Sequence, residues 1–144
     1  MLLLFSLNMR TWYVDTNAPN QTIASLLFVT SLLLVIWGVA QLHLLGKPDN
    51  QRNDVPMLGF EKTTTLVTTG IYRHIRHPIY GSLFFLCWGF YFKNPSFAGG
   101  ALAVVASGFL AATARVEENE NIRYFGETYR EYMKRSKMLV PFIW

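Results

Sequence analysis

Charge is scarce in this sequence of 144 residues. Only 15% are Asp, Glu, Lys or Arg, against about 25% in an ordinary soluble domain. Hydrophobic residues make up 51%, and the mean hydropathy is positive. That balance excludes a disordered chain, a collagen-like chain and a nucleic-acid-binding tail. It argues against a compact soluble enzyme and for a bilayer protein. Cysteine is nearly missing. Cys87 stands alone, so there is neither an internal disulfide nor a C-x-x-C metal site, and no metal centre is expected. Residues 1–10 lack a basic n-region, and their apolar start is too short for a signal peptide. Also absent are a P-loop, a glycine-rich dinucleotide motif and a Ser-His-Asp arrangement.

What is present is a set of long uncharged runs. Thr16–Gly46 carries no charge. Its core, Ile23–Leu45, reaches the roughly 20 residues that a bilayer crossing needs. A second run follows His77 and stops at Lys93, and a third covers Asn94–Ala114. Between them, Lys93-Asn94-Pro95-Ser96 reads as a tight turn, because Pro95 cannot continue a helix interior. The expected fold is an all-α integral membrane protein of one domain with about three spans. Span one covers 22–45, a cytosolic loop 46–76, span two 77–93, span three 96–114 and a cytosolic tail 115–144. Spans two and three form a tight hairpin. Residues 1–21 read either as an interfacial segment or as the remainder of a further span, split by Arg10. On span three, Gly99, Ala103, Ser107 and Ala111 recur every fourth residue, a small-residue stripe suited to close helix packing.

The basic residues sort the topology. Eleven of the thirteen fall in Lys47–Arg76 or in the tail. The positive-inside rule then places the loop and the C-terminus in the cytoplasm. The net charge of +4 is thereby explained by topology, and nucleic acid loses its support as a partner.

Chemistry-bearing residues collect where the hairpin meets the cytosol. Gly70-Ile71-Tyr72-Arg73-His74-Ile75-Arg76-His77-Pro78-Ile79-Tyr80-Gly81 precedes span two, and Arg115-Val116-Glu117-Glu118 follows span three. Pro78 suits a first helical position, where its missing N–H is harmless, and the helix end it opens can hold an anion. A carboxylate at 117 or 118 can pair with an ammonium group or accept ribose hydroxyls. Adjacent helical residues point about 100° apart, so one of the two is expected to face a ligand. His77 has two open roles, hydrogen-bond donor to a ligand carboxylate or cap of the helix. The bland alternative for the whole cluster is membrane-edge anchoring. In the tail, Ile122, Phe125, Tyr129 and Tyr132 form a helical stripe, with a break expected at Gly126. That helix lies on the membrane or folds back as a lid, and the apolar end at 140–144 is suited to dock against the membrane or the core.

The block from Leu66 to Tyr80, followed by Glu117-Glu118, Phe125-Gly126, Tyr129, Tyr132 and Pro141, resembles the isoprenylcysteine carboxyl methyltransferase family, which embraces phospholipid methyltransferase-like proteins. The resemblance covers about residues 60–144. It implies a multi-pass membrane enzyme using S-adenosylmethionine to methylate a lipophilic small-molecule acceptor, in contact with membrane lipid. Carried onto this sequence, the implied cofactor contacts are Arg76, His77, Pro78, Tyr80, Gly81, Glu117 and Glu118, with Tyr129 closing the pocket from the tail. No catalytic residue is assigned, since a carboxylate or thiolate acceptor needs no general base. Membrane steroid and sterol reductases that use NADPH carry a similar Arg-His-Pro-x-Tyr block and are the runner-up. A non-catalytic membrane scaffold is the third reading.

Overall fold

A computed structural model of the chain describes Leu3, residues 19–46 and residues 64–141. The N-terminal segment expected at 1–21 falls almost wholly outside the described residues. So do residues 47–63 of the loop and 142–144 of the apolar end.

The described residues form four α-helices: α1 (Pro19–Leu45), α2 (Pro78–Lys93), α3 (Phe97–Phe125) and α4 (Glu127–Arg135). A single 3-10 turn, Gly70–Arg73, precedes α2. No sheet is built from them; an isolated parallel bridge joins Ile75 to Lys137. Helices α1 and α3 are long and apolar enough to cross a bilayer. In such a setting only a helix satisfies every backbone group internally. At 16 residues, α2 is about 24 Å long.

Small residues set how the helices meet. α2 packs against both α1 and α3. A Cβ added at Gly38 would sit 3.0 Å from Pro78, and one at Gly89 would sit 2.7 Å from the Phe28 ring. The start of α2 therefore meets the later part of α1, and its middle meets the earlier part, so the two run antiparallel. Gln21 Nε2 donates to the Lys93 carbonyl at 2.9 Å and closes the far end. α2 and α3 are also antiparallel, since Trp88 Nε1 donates to Ser107 Oγ at 3.2 Å. On the small-residue stripe, Gly99, Ala103 and Ala111 are buried, whereas Val104, Val105 and Phe109 point outward.

α3 starts where Ser96 caps it by accepting from the Gly99 amide. With 29 residues it is about 43 Å long. That exceeds a hydrocarbon core of roughly 30 Å, so its last three turns, from Arg115 on, project beyond the apolar stretch. Gly126, at φ +60°, ends α3 and opens α4. This is the break the sequence placed there.

Candidate functional site

The polar site is assembled at the end of the bundle where α1 finishes, α2 begins and α3 emerges. Gly70 takes φ +57°, and a Cβ there would collide with the Gln41 side chain. Gln41 Oε1 instead accepts from the Ile71 amide at 2.9 Å. The 3-10 turn is thereby fastened to α1, and Tyr72 OH adds a 3.3 Å bond to the Gly38 carbonyl. From above, Tyr132 OH donates to the Tyr72 carbonyl.

The chain after α4 returns beneath the start of α2. The amides of Arg76 and His77 donate to the carbonyls of Lys137 (2.8 Å) and Met138 (3.1 Å), and the Lys137 amide donates to His74 O (2.9 Å). Leu139 and Met138 join Ala111 and Ala114 in a core cluster. Gly81 lies so close to this return that an added Cβ would be 2.6 Å from the Leu139 carbonyl oxygen.

Three elements then converge on His77, which is only 7% exposed, as are Glu117 and Glu118. Its Nδ1 is 3.6 Å from Glu117 Oε2, and its Nε2 is 3.5 Å from Glu118 Oε1. The adjacent carboxylates thus straddle one imidazole. Arg76 Nε donates to Glu118 Oε1 at 2.6 Å, and its Nη1 donates to the carbonyls of Met133 (3.3 Å) and Ser136. Tyr80 OH donates to Glu117 Oε1, and its ring stacks on His77 at 5.8 Å between centroids. Burial pushes the Glu118 carboxyl up, but contact with His77 and Arg76 outweighs it and holds the group below the usual carboxylate range. Burial pushes the Tyr129 and Tyr132 phenols well above their ordinary range, so both stay neutral.

A cavity of about 60 Å³ opens beside this cluster. Its polar wall is His77, Tyr80 and Glu117. Leu42, Val67 and Ile79 make an apolar wall, and Phe125, Tyr129 and Tyr132 close it from the tail. His77 Nε2 is buried with no hydrogen-bond partner.

Of the residues proposed from sequence, Arg76, His77, Pro78, Tyr80, Glu117 and Tyr129 line this cavity. Glu118 faces a different cavity, so the two carboxylates diverge as their helical spacing requires. Gly81 lies against Leu139 instead. His77 occupies the position before α2 but makes no side-chain cap; its ring is turned to the carboxylates. Arg76 is engaged with Glu118 and the tail rather than left open for an anion. Sequence reasoning passed over Asn121, Leu42 and Tyr72, all on the cavity wall. The available signal was the four-residue step Glu117, Asn121, Phe125, Tyr129.

Fold and site together define a helical protein with two helices long and apolar enough to cross a bilayer and a polar cluster shut in at one end of them. Residues 19–128 match the phospholipid methyltransferase family, and the chain belongs to that family. It is 34% identical over 120 residues to the protein-S-isoprenylcysteine O-methyltransferase of Homo sapiens, covering 81% of this chain and 42% of that protein. It is 25% identical over 142 residues to the methanethiol S-methyltransferase of Pseudomonas deceptionensis, covering 94% and 51%. Over 87 residues it is 37% identical to protein-S-isoprenylcysteine O-methyltransferase B of Arabidopsis thaliana, covering 58% and 43%. The chain spans about half the length of the curated relatives it matches. No solved structure matches it.

Proposed function

We propose that this chain transfers a methyl group from S-adenosylmethionine to a lipophilic acceptor at the cytosolic face of a membrane. In this reading α2 crosses with α1 and α3 as a three-span unit, α2 and α3 forming a hairpin. The abundance of Lys and Arg at the site end puts that end and the C-terminus in the cytoplasm. The observation that carries the proposal is the buried His77 held between Glu117 and Glu118 at the wall of a cavity with aromatic sides.

The residues present fit such a cofactor. Glu117 supplies a carboxylate for an ammonium group or ribose hydroxyls, and the His77 imidazole supplies a donor for a carboxylate. Phe125 and Tyr129 supply aromatic faces. S-adenosylmethionine, when bound, brings a methyl group already activated by its sulfonium. The protein's own contribution is alignment and the exclusion of water. Tyr80 holds Glu117 in place by its hydrogen bond, and α4 shields the cluster from solvent.

A ligand pocket for a molecule of nucleoside size measures about 300 Å³ or more. At about 60 Å³, the cavity must widen on binding, and the tail is the element that can move without disturbing the spans. The apolar wall formed by Leu42, Val67 and Ile79 suits an acceptor arriving from the bilayer. The relatives' names cover an oxygen acceptor on an isoprenylcysteine and a sulfur acceptor on methanethiol. No observation favours NADPH reduction or a non-catalytic scaffold.

The test is equilibrium binding of labelled S-adenosylmethionine and of NADPH to the full chain in detergent. S-adenosylmethionine should bind and NADPH should not. Glu117→Gln should weaken binding more than tenfold, the worth of a hydrogen bond to a charged group at about 1.5–3 kcal/mol. Glu118→Gln should cost less, since Glu118 lies off the cavity. Wild-type affinity in the double variant would overturn the assignment.

A further inference from the structure

A second cavity, of about 350 Å³, is lined in part by the Arg76–Glu118 pair. Arg115 on α3 and Lys137 on the tail stand at its rim, with Ser136 and Met133 between them. Arg76 reaches it too, but Glu118 offsets that charge at 2.6 Å. Three other cations of α3 and α4 are matched: Arg123 with Glu120, Arg130 with Glu127 and Lys134 with Glu131. Neither Arg115 nor Lys137 has a carboxylate partner among the described residues. Two uncompensated cations on separate elements therefore face one polar cavity.

The position of that cavity narrows what it would take. Arg115 directly follows Ala114, where the uncharged run of α3 ends. The outward face of α3 stays apolar up to this point, with Phe109 71% and Val116 49% exposed. The cavity thus opens at the level where hydrocarbon gives way to headgroups. Polybasic groups at that level attract anionic lipid at about 1 kcal/mol per Lys or Arg.

We infer that Arg115 and Lys137 form a binding site for the phosphate of an anionic phospholipid headgroup. Its phosphate bridges α3 to the segment that closes the candidate active site, and Met133 flanks the more apolar part of the lipid. The inference rests on the bilayer orientation proposed above and not on methyl transfer.

Calorimetric titration of the full chain in neutral detergent tests it, with short-chain phosphatidylglycerol, short-chain phosphatidylcholine and inorganic phosphate as probes. Phosphatidylglycerol should bind, and phosphatidylcholine should bind far more weakly. Arg115→Gln and Lys137→Gln should each weaken phosphatidylglycerol about fivefold, and Arg130→Gln, a paired surface cation, should change nothing. Equal affinity for the two lipids, or unchanged binding in the Arg115→Gln/Lys137→Gln variant, would overturn the site. Inorganic phosphate binding as tightly as the lipid would overturn the lipid source. Labelled S-adenosylmethionine measured on the same samples keeps this outcome separate from that of the methyltransferase reading.

Discussion

Replacing Arg76 by Gln removes one member of a buried ion pair and a clamp on the tail in a single step. Both side chains of the Arg76–Glu118 pair are 9% exposed. Loss of one partner from such a pair costs about 3–5 kcal/mol, because the remaining charge stays buried and uncompensated. His77 Nε2, 3.5 Å from the same carboxylate oxygen, softens that penalty and sets the expectation at the lower end, about 3 kcal/mol. At about 1.4 kcal/mol per tenfold, that is a shift of more than 100-fold in an equilibrium constant. The loss falls on docking of the tail, since Arg76 also holds the carbonyls of Met133 and Ser136. Amide hydrogen exchange reads this out locally. The His77 and Lys137 amides are protected by bonds between the two segments, so their exchange should quicken by about 100-fold. Amides in the middle of α2 should hold their rates. Adding Glu118→Gln should recover part of the loss, because the orphaned charge is gone. Exchange at His77 and Lys137 altered by less than about threefold, or a double variant that simply sums the singles, would refute the reasoning.

Gly81→Ala should destabilise the fold by about 1–3 kcal/mol, since its Cβ would meet a backbone oxygen at 2.6 Å, whereas Gly108→Ala, with open space around it, should not; thermal unfolding in detergent compares them. Single cysteines placed at residue 93 and in the tail, in a Cys87→Ser background, should react with an impermeant thiol reagent from opposite sides of the membrane; reaction from one side would defeat the three-span topology. Because the folded Glu118 pKa lies below its ordinary value, its stabilising contribution is full above about pH 4.5 and is lost as pH falls through the lower folded value. Melting temperature should therefore drop on acidification through that window in the wild type and less so in Glu118→Gln.

How far the sequence reached can be judged residue by residue. The uncharged run Thr16–Gly46 became α1 because a long apolar stretch has few alternatives to a helix. Pro95 marked the α2–α3 turn through proline sterics, a local effect, and the structure adds a Ser96 cap at the start of α3. Gly126 was legible for the same reason. The closing segment was not. Residues 136–139 carry no periodic pattern, and their pairing with 75–77 depends on a contact some 60 positions away in the chain. Gly81 gave no sign that a carbonyl needed its missing side chain. The partners of Arg76, Glu118 and two tail carbonyls, were not legible because they come from elements that meet only in three dimensions. His77 looked equally suited to capping α2; only the placement of both carboxylates turned it inward.

The pairing of residues 75–77 with 137–138 also fixes an order of events during synthesis. A ribosome adds about 5–20 residues per second, so His77 emerges several seconds before its partner Met138. For that interval the segment ahead of α2 has no backbone partner, and the polar cluster, though Glu117 and Glu118 precede Met138, still lacks its floor. Helices α1 to α3 can form while the pocket is still open to water. Closure of the pocket thus waits on the segment after α4, and a chain released before residue 137 would form these helices without enclosing His77.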